Sequence, residues 1–129
     1  MRDSQAVIIQ GKAAISGSAH GKLLVSHVEL SFWGGVDPWT GKIMDSHHDL
    51  VGHTFAGKIL AIPSGRGSCA SSGVIMELLL SGRGPAALIL QRPDDILAFG
   101  AIVSEEVFGK SIPIVIIGKD EYSRLQTGA

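Results

Sequence analysis

The residues best suited to chemistry lie in the run Ser64-Gly65-Arg66-Gly67-Ser68, which follows the apolar stretch Ile59-Leu60-Ala61-Ile62-Pro63 and precedes a helical pattern reaching about Leu80. Glycines at a strand-to-helix turn let the backbone come close to a ligand, and the following helix aims free N–H groups at it, so such a turn suits an anion. Ser68 stands where the helix begins. Either it is an ordinary N-cap accepting a backbone N–H, or its hydroxyl, deprotonated more easily in the field of the helix end and of Arg66, removes a proton from carbon. Ser71 and Ser72 extend the same hydroxyl rim, to bind a carboxylate or phosphate or merely to complete the cap. Cys69 has no base tied to it by the sequence and reads as a small buried residue of the first turn.

Two further patterns compete. The spacing Gly65-x-Gly67-x-x-Ala70 is a loose dinucleotide fingerprint, with Asp94 placed where a ribose acid would sit. Against it, a full dinucleotide domain needs more than the ~70 residues of α/β chain present, and no Walker lysine follows the loop. The stretch Asp45-Ser46-His47-His48-Asp49-Leu50-Val51-Gly52-His53 offers imidazoles and carboxylates, but its spacing matches no ligand pattern, so it reads as a polar loop near an interface and no metal site is assigned to this chain.

Positioning these residues falls to a chain of 129 residues with 17 glycines, a length that predicts one domain spanning 1–129, with many tight turns. Short strands are expected at Ala6–Gln10, Ala13–Ser18 and Lys22–His27. The segment from Ser31 to Lys42 should be a loop, and its Phe32, Trp33 and Trp39 read as a lid over the core or an interface. Then come a buried strand Ile59–Pro63, a helix stopped by Gly82, a second strand Ala86–Leu90, a helix capped by Asp94 or Asp95 and ended by Gly109-Lys110, a third strand Pro113–Ile117 and a short helix Asp120–Gln126. The fold class is therefore α/β: a layered β/β/α domain with a β-rich N-terminal half and a parallel βαβ C-terminal half.

Composition narrows the partners. With 11 basic and 12 acidic residues, no Lys/Arg excess exists to neutralise a phosphate backbone, so nucleic acid is not expected. No apolar run approaches the ~20 residues of a membrane span, and the N-terminal apolar stretch is shorter than a signal region, which predicts a cytoplasmic protein without membrane contact. The single cysteine excludes an internal disulfide and cannot supply the three or four thiolates of an iron–sulfur cluster.

Three ordered motifs carry a family resemblance: Phe32-Trp33-Gly34-Gly35-Val36-Asp37-Pro38-x-x-Gly41; Gly57-Lys58-Ile59-Leu60 with Pro63-x-Gly65-x-Gly67-Ser68; and Pro93-x-x-Ile96 with Gly100-Ala101-Ile102-Val103-Ser104-Glu105-Glu106. From about Gly11 to Gly128 the chain resembles the small-subunit, or swivel, domain of the aconitase X group. The resemblance implies a swivelling β/β/α domain that closes over a large catalytic subunit, the partner that carries the iron or iron–sulfur centre. It places the general base on Ser68 and makes Gly65, Arg66, Gly67, Ser71, Ser72, Gly35 and Asp37 candidates for holding a small-molecule substrate. The partner's metal would accept the leaving hydroxyl, so that neither subunit works alone.

Two dehydrations belong to this group, of cis-3-hydroxy-L-proline to a pyrroline-2-carboxylate and of mevalonate 5-phosphate. The runs Arg66–Ser72 and Ala101–Gly109 look more like the bacterial hydroxyproline type. The archaeal type tends to carry threonine after the loop serine. A loop with few cations beyond Arg66 also suits a carboxylate better than a phosphate. The alternatives are the small subunit of a mevalonate 5-phosphate dehydratase and a non-catalytic nucleotide-binding or docking module.

Overall fold

In the computed structural model, which describes residues 9–66 and 70–127, the apolar runs become the centre of a sheet. In chain order the elements are β1 (Lys12–Ile15), β2 (Leu23–Val25), a single turn α1 (Phe32–Gly35), β3 (Val36–Asp37), β4 (Lys42–Ile43), β5 (Ile59–Ile62), α2 (Ala70–Ser81), β6 (Ala87–Leu90), α3 (Asp95–Phe108), β7 (Ile114–Ile116) and α4 (Lys119–Tyr122). Five strands form one sheet in the order β1-β7-β6-β5-β2, and β3 pairs with β4 separately. The neighbours β2, β5, β6 and β7 run parallel, while β1 is antiparallel to β7.

Strand residues alternate between faces. Leu24, Leu60, Ile62, Leu88, Leu90 and Ile114 join the core made with α2 and α3. Val25, Ala61 and Ile117 meet Tyr122 of α4 on the other face. A parallel sheet needs both faces covered, which explains why these strands are apolar throughout. α2 and α3 lie so close at Gly100 that a Cβ there would reach the Ile75 side chain and come within 2.8 Å of the Ser72 carbonyl oxygen. Asp94 caps α3, its Oδ1 accepting from Ile96 N (3.0 Å) and Leu97 N (3.1 Å). Gly109, at φ 69°, ends the same helix in the left-handed region.

The strands of the N-terminal half are shorter than the pattern predicts. Of the run Ala6–Gln10, residues 6–8 lie outside the described residues, and Ile9 and Gln10 form no strand. β1 ends at Ile15 because its partner β7 begins at Ile114, after Pro113, which has no N–H to donate. β2 ends at Val25 because the chain then turns on the Ser26 hydroxyl, which accepts from Val28 N at 2.9 Å. The expected loop from Ser31 to Lys42 contains a short turn, α1, with non-helical angles at Trp33 and Gly34, and a hairpin of two-residue strands. Phe32 is fully buried while Trp33 and Trp39 stay 64% and 75% exposed, so the segment seals the core with one aromatic and presents two. The terminal helix is one turn, Lys119–Tyr122, rather than Asp120–Gln126.

Candidate functional site

The carboxyl ends of β5 and β6 open onto a crevice of about 320 Å³, bounded by Ser64, Gly65, Arg66, Ser71 and the segment Pro93–Leu97. Open parallel sheets bind ligands at such strand ends. Gly65 is required there by space: a Cβ would lie 2.6 Å from Asp94 Oδ2 and 3.0 Å from Leu97 Cδ1, so the loop after β5 can approach the cap of α3 only without a side chain. Asp94 uses one carboxylate oxygen, Oδ1, on that cap, and its other oxygen, Oδ2, faces the Gly65 backbone at the crevice.

The polar groups of the crevice are unevenly satisfied. Ser71, in the first turn of α2, is 3% exposed, and its Oγ has no hydrogen-bond partner among the described residues. A buried hydroxyl left unpaired costs stability, and here it borders a space that a ligand atom can enter. Ser72 is also buried. The Arg66 guanidinium is largely exposed and lies 3.9 Å from Asp45 Oδ2, a loose surface pair that leaves it free to meet an anion.

A second set of residues sits at the same strand ends, joining Ser64 of the loop to Glu29 and Arg92, which the sequence did not single out. Ser64 Oγ donates to Glu29 Oε2 at 2.9 Å, and Arg92 Nη2 donates to Glu29 Oε2 at 2.5 Å and to Ser64 Oγ at 3.1 Å. The Ser64 hydrogen bond first, then that of Arg92 and the fields of Arg92 and Arg66, outweigh desolvation and hold the Glu29 carboxyl below its ordinary range. The signal that could have found them is positional, since each lies two to four residues beyond the end of a successive parallel strand.

The other expected residues are distributed as follows. Gly67, Ser68 and Cys69 lie outside the described residues. Gly35 is buried, its carbonyl accepting from Met44 N at 2.8 Å, and Asp37 Oδ1 accepts from Trp39 N at 2.9 Å. Both shape the β3–β4 hairpin and neither borders the crevice, although Gly35 packs near Asp45, the partner of Arg66.

The histidine stretch separates into three environments. His47 and His53 are exposed, whereas His48 is 3% exposed. Its Nδ1 accepts from Leu50 N at 3.0 Å, which puts the ring proton on Nε2, 3.1 Å from the Val28 carbonyl oxygen and 3.3 Å from Ser26 Oγ. The 3.3 Å approach of Asp49 Oδ1 to Nδ1 is therefore not an ion pair in this tautomer. Asp49 instead accepts from Ser26 Oγ (2.6 Å) and His27 N (2.9 Å). Burial pushes its carboxyl up, but those bonds and the neighbouring imidazoles outweigh burial and leave it lowered. Tyr122 Oη closes the knot by donating to the Ser26 carbonyl at 2.6 Å. Ser, His and Asp meet here as scaffold, because the aspartate bonds the serine rather than the imidazole.

An iron centre does not fit the described residues. No three of their His, Cys, Asp and Glu side chains gather to hold a metal ion, and both His48 nitrogens are turned toward backbone groups. No helix among them is long and apolar enough to cross a membrane.

Known proteins resemble the chain along nearly its whole length. The aconitase X swivel domain profile matches residues 8–129. A cis-3-hydroxy-L-proline dehydratase of Hypocrea jecorina is 54% identical over 116 residues, 90% of this chain and 20% of that protein. This chain thus spans about a fifth of that relative's length. A phosphomevalonate dehydratase small subunit of Thermococcus gammatolerans is 43% identical over 120 residues, 93% of this chain and 86% of that one. Among solved structures, the aconitase X holo-form of Thermococcus kodakaraensis superposes with a TM-score of 0.83 at 40% identity, covering 93% of this chain and 86% of that chain.

Proposed function

We infer the activity from a fixed premise: this chain belongs to the aconitase X swivel-domain family. It is the small subunit of a hydro-lyase that dehydrates cis-3-hydroxy-L-proline to Δ1-pyrroline-2-carboxylate, and it works only when seated on a larger partner. The observation that carries the substrate is the 54% identity to the Hypocrea jecorina dehydratase, against 43% to the phosphomevalonate dehydratase small subunit. The crevice agrees with it. One open hydroxyl on Ser71 and one loosely held cation on Arg66 suit a carboxylate, which needs fewer donors than a phosphate.

In this reading the substrate carboxylate lies between Arg66 and Ser71, with Gly65, Gly67 and Ser72 forming the rest of the cradle. Ser68 takes the proton from carbon, its alkoxide eased by the α2 N-terminus. The iron or iron–sulfur centre is assigned to the larger partner, in keeping with the single cysteine of this chain. Trp33 and Trp39 line a shallow hollow with Pro38 and with Gly73, Val74 and Glu77 of α2, and exposed tryptophans near a site that another chain must complete support docking on that side. Gly35 and Asp37 then serve by shaping the hairpin that carries Trp39.

The test is Ser68→Ala assembled with the large subunit. Loss of at least ~10²-fold in turnover with intact assembly is expected of a general base. An intact complex with unchanged turnover removes Ser68 from that role.

A further inference from the structure

The geometry assigns a positioning role to Glu29, Ser64 and Arg92, which knot the ends of three parallel strands beneath the substrate loop. Glu29 follows β2, Ser64 follows β5 and Arg92 follows β6, and one carboxylate oxygen, Glu29 Oε2, accepts from both of the others. The backbone repeats the same connection. Leu30 N donates to Ser64 O (3.3 Å), Arg66 N to Leu30 O (2.9 Å), and Gln91 N and Arg92 N both to Pro63 O (3.0 Å each). The loop is thus held from both sides just before it presents Gly65 and Arg66 to the crevice.

Such a knot is a poor device for global stability. The Arg92 and Glu29 side chains are 52% and 41% exposed, and surface pairs of this kind contribute little to folding. Its strength is directional. The Ser64 hydroxyl lies between Glu29 and Arg92, which also bond directly, and it is 3.0 Å from the Gly65 carbonyl oxygen, so the orientation of the pair is passed to the loop through Ser64. A misplacement of about 1 Å at a reacting centre costs up to ~10²-fold in rate, so a small shift of Arg66 is felt in turnover before it is felt in stability.

This role rests on the dehydratase reading above, and the experiment separates the two. Turnover of cis-3-hydroxy-L-proline is measured for the assembled pair carrying Glu29→Gln, Arg92→Met, Arg92→Lys or both Glu29→Gln and Arg92→Met. Amide hydrogen exchange is followed in the same full-length chain. The positioning role predicts that Glu29→Gln and Arg92→Met each lower kcat by ~10-fold, with KM rising no more than several-fold as the Arg66 contact loosens and an unchanged melting temperature. It also predicts that the double variant falls no further than the singles and that Arg92→Lys recovers most of the loss. The Arg66 amide should exchange ~10-fold faster while the β6 amides do not change.

Unchanged kcat in an active pair that Ser68→Ala silences overturns the knot alone, as does a rise in KM at constant kcat, which would make Arg92 a simple ligand contact. A pair without dehydratase activity overturns the reading and the catalytic half of this role with it. Unchanged Arg66 exchange overturns the structural half, whatever the activity.

Discussion

Two polar clusters stand on this sheet, and they are built to opposite rules. Around His48 the groups of Ser26, His27, Asp49, Leu50 and Tyr122 are bonded to one another, with Ser26 and His48 at 0% and 3% exposure. At the crevice, Ser71 keeps a buried hydroxyl without a partner and Arg66 stands in solvent beside a distant aspartate. A saturated buried network fixes the path of the chain, because removing any member strands another. An unsaturated one spends stability to keep groups ready for a ligand. The histidine stretch, rich in catalytic residue types, is thus scaffold, and the sparser serine loop is the site proposed above.

That contrast is broken most severely at His48. His48→Ala strands Leu50 N and empties a buried ring volume, and it should cost about 3 kcal/mol by urea unfolding, with the sheet end between Ser26 and Val28 loosened first. Gly65→Ala should come next, at about 1–3 kcal/mol, because its Cβ would collide with Asp94 Oδ2 and either uncap α3 or displace the loop. A loss confined to the last few tenths of a kcal/mol would mean that the two loops part without resistance.

Acid separates the clusters in another way. Asp49 has a lowered value when folded, so its bonds stabilise the fold above the ordinary carboxylate value of 3.8 and lose that contribution as pH falls through the lowered one. The melting temperature should therefore drop as the pH is taken below about 4, and Asp49→Asn should flatten that dependence while lowering the plateau at neutral pH. An identical slope in the variant would show that the Ser26 and His27 bonds do not favour the charged form. The smallest expected change in stability is at the site itself. Ser71→Ala removes a hydroxyl that bonds to nothing described, so unfolding should stay within about 0.5 kcal/mol of wild type while KM for the substrate rises several-fold. A large destabilisation would move Ser71 from the second kind of cluster to the first.

The sequence was most readable where periodicity and punctuation agree. The strands Ile59–Ile62, Ala87–Leu90 and Ile114–Ile116, the cap at Asp94 and the stops at Gly82 and Gly109 are local signals, and each is found close to its expected place. The pairing of β2 with β5 was hidden because more than thirty intervening residues carry no strand period. His48 could not be told from its neighbours His47 and His53, since its burial depends on a contact with Ser26 across 22 positions. Glu29 and Arg92 meet across 63 positions and look like ordinary surface charges in sequence. Of the candidate site, the Gly65–Arg66 turn and Ser71 are brought to one crevice, whereas Gly35 and Asp37 belong to the hairpin.

The central claim is that catalysis is shared between this chain and a larger one. It is met most directly by following pyrroline-2-carboxylate formation from cis-3-hydroxy-L-proline with each polypeptide purified alone and then with the two mixed. Product should appear only in the mixture, and mevalonate 5-phosphate should not replace the substrate. Full turnover by the large polypeptide without this chain would contradict it, and a mixture that accepts only the phosphate would overturn the substrate instead.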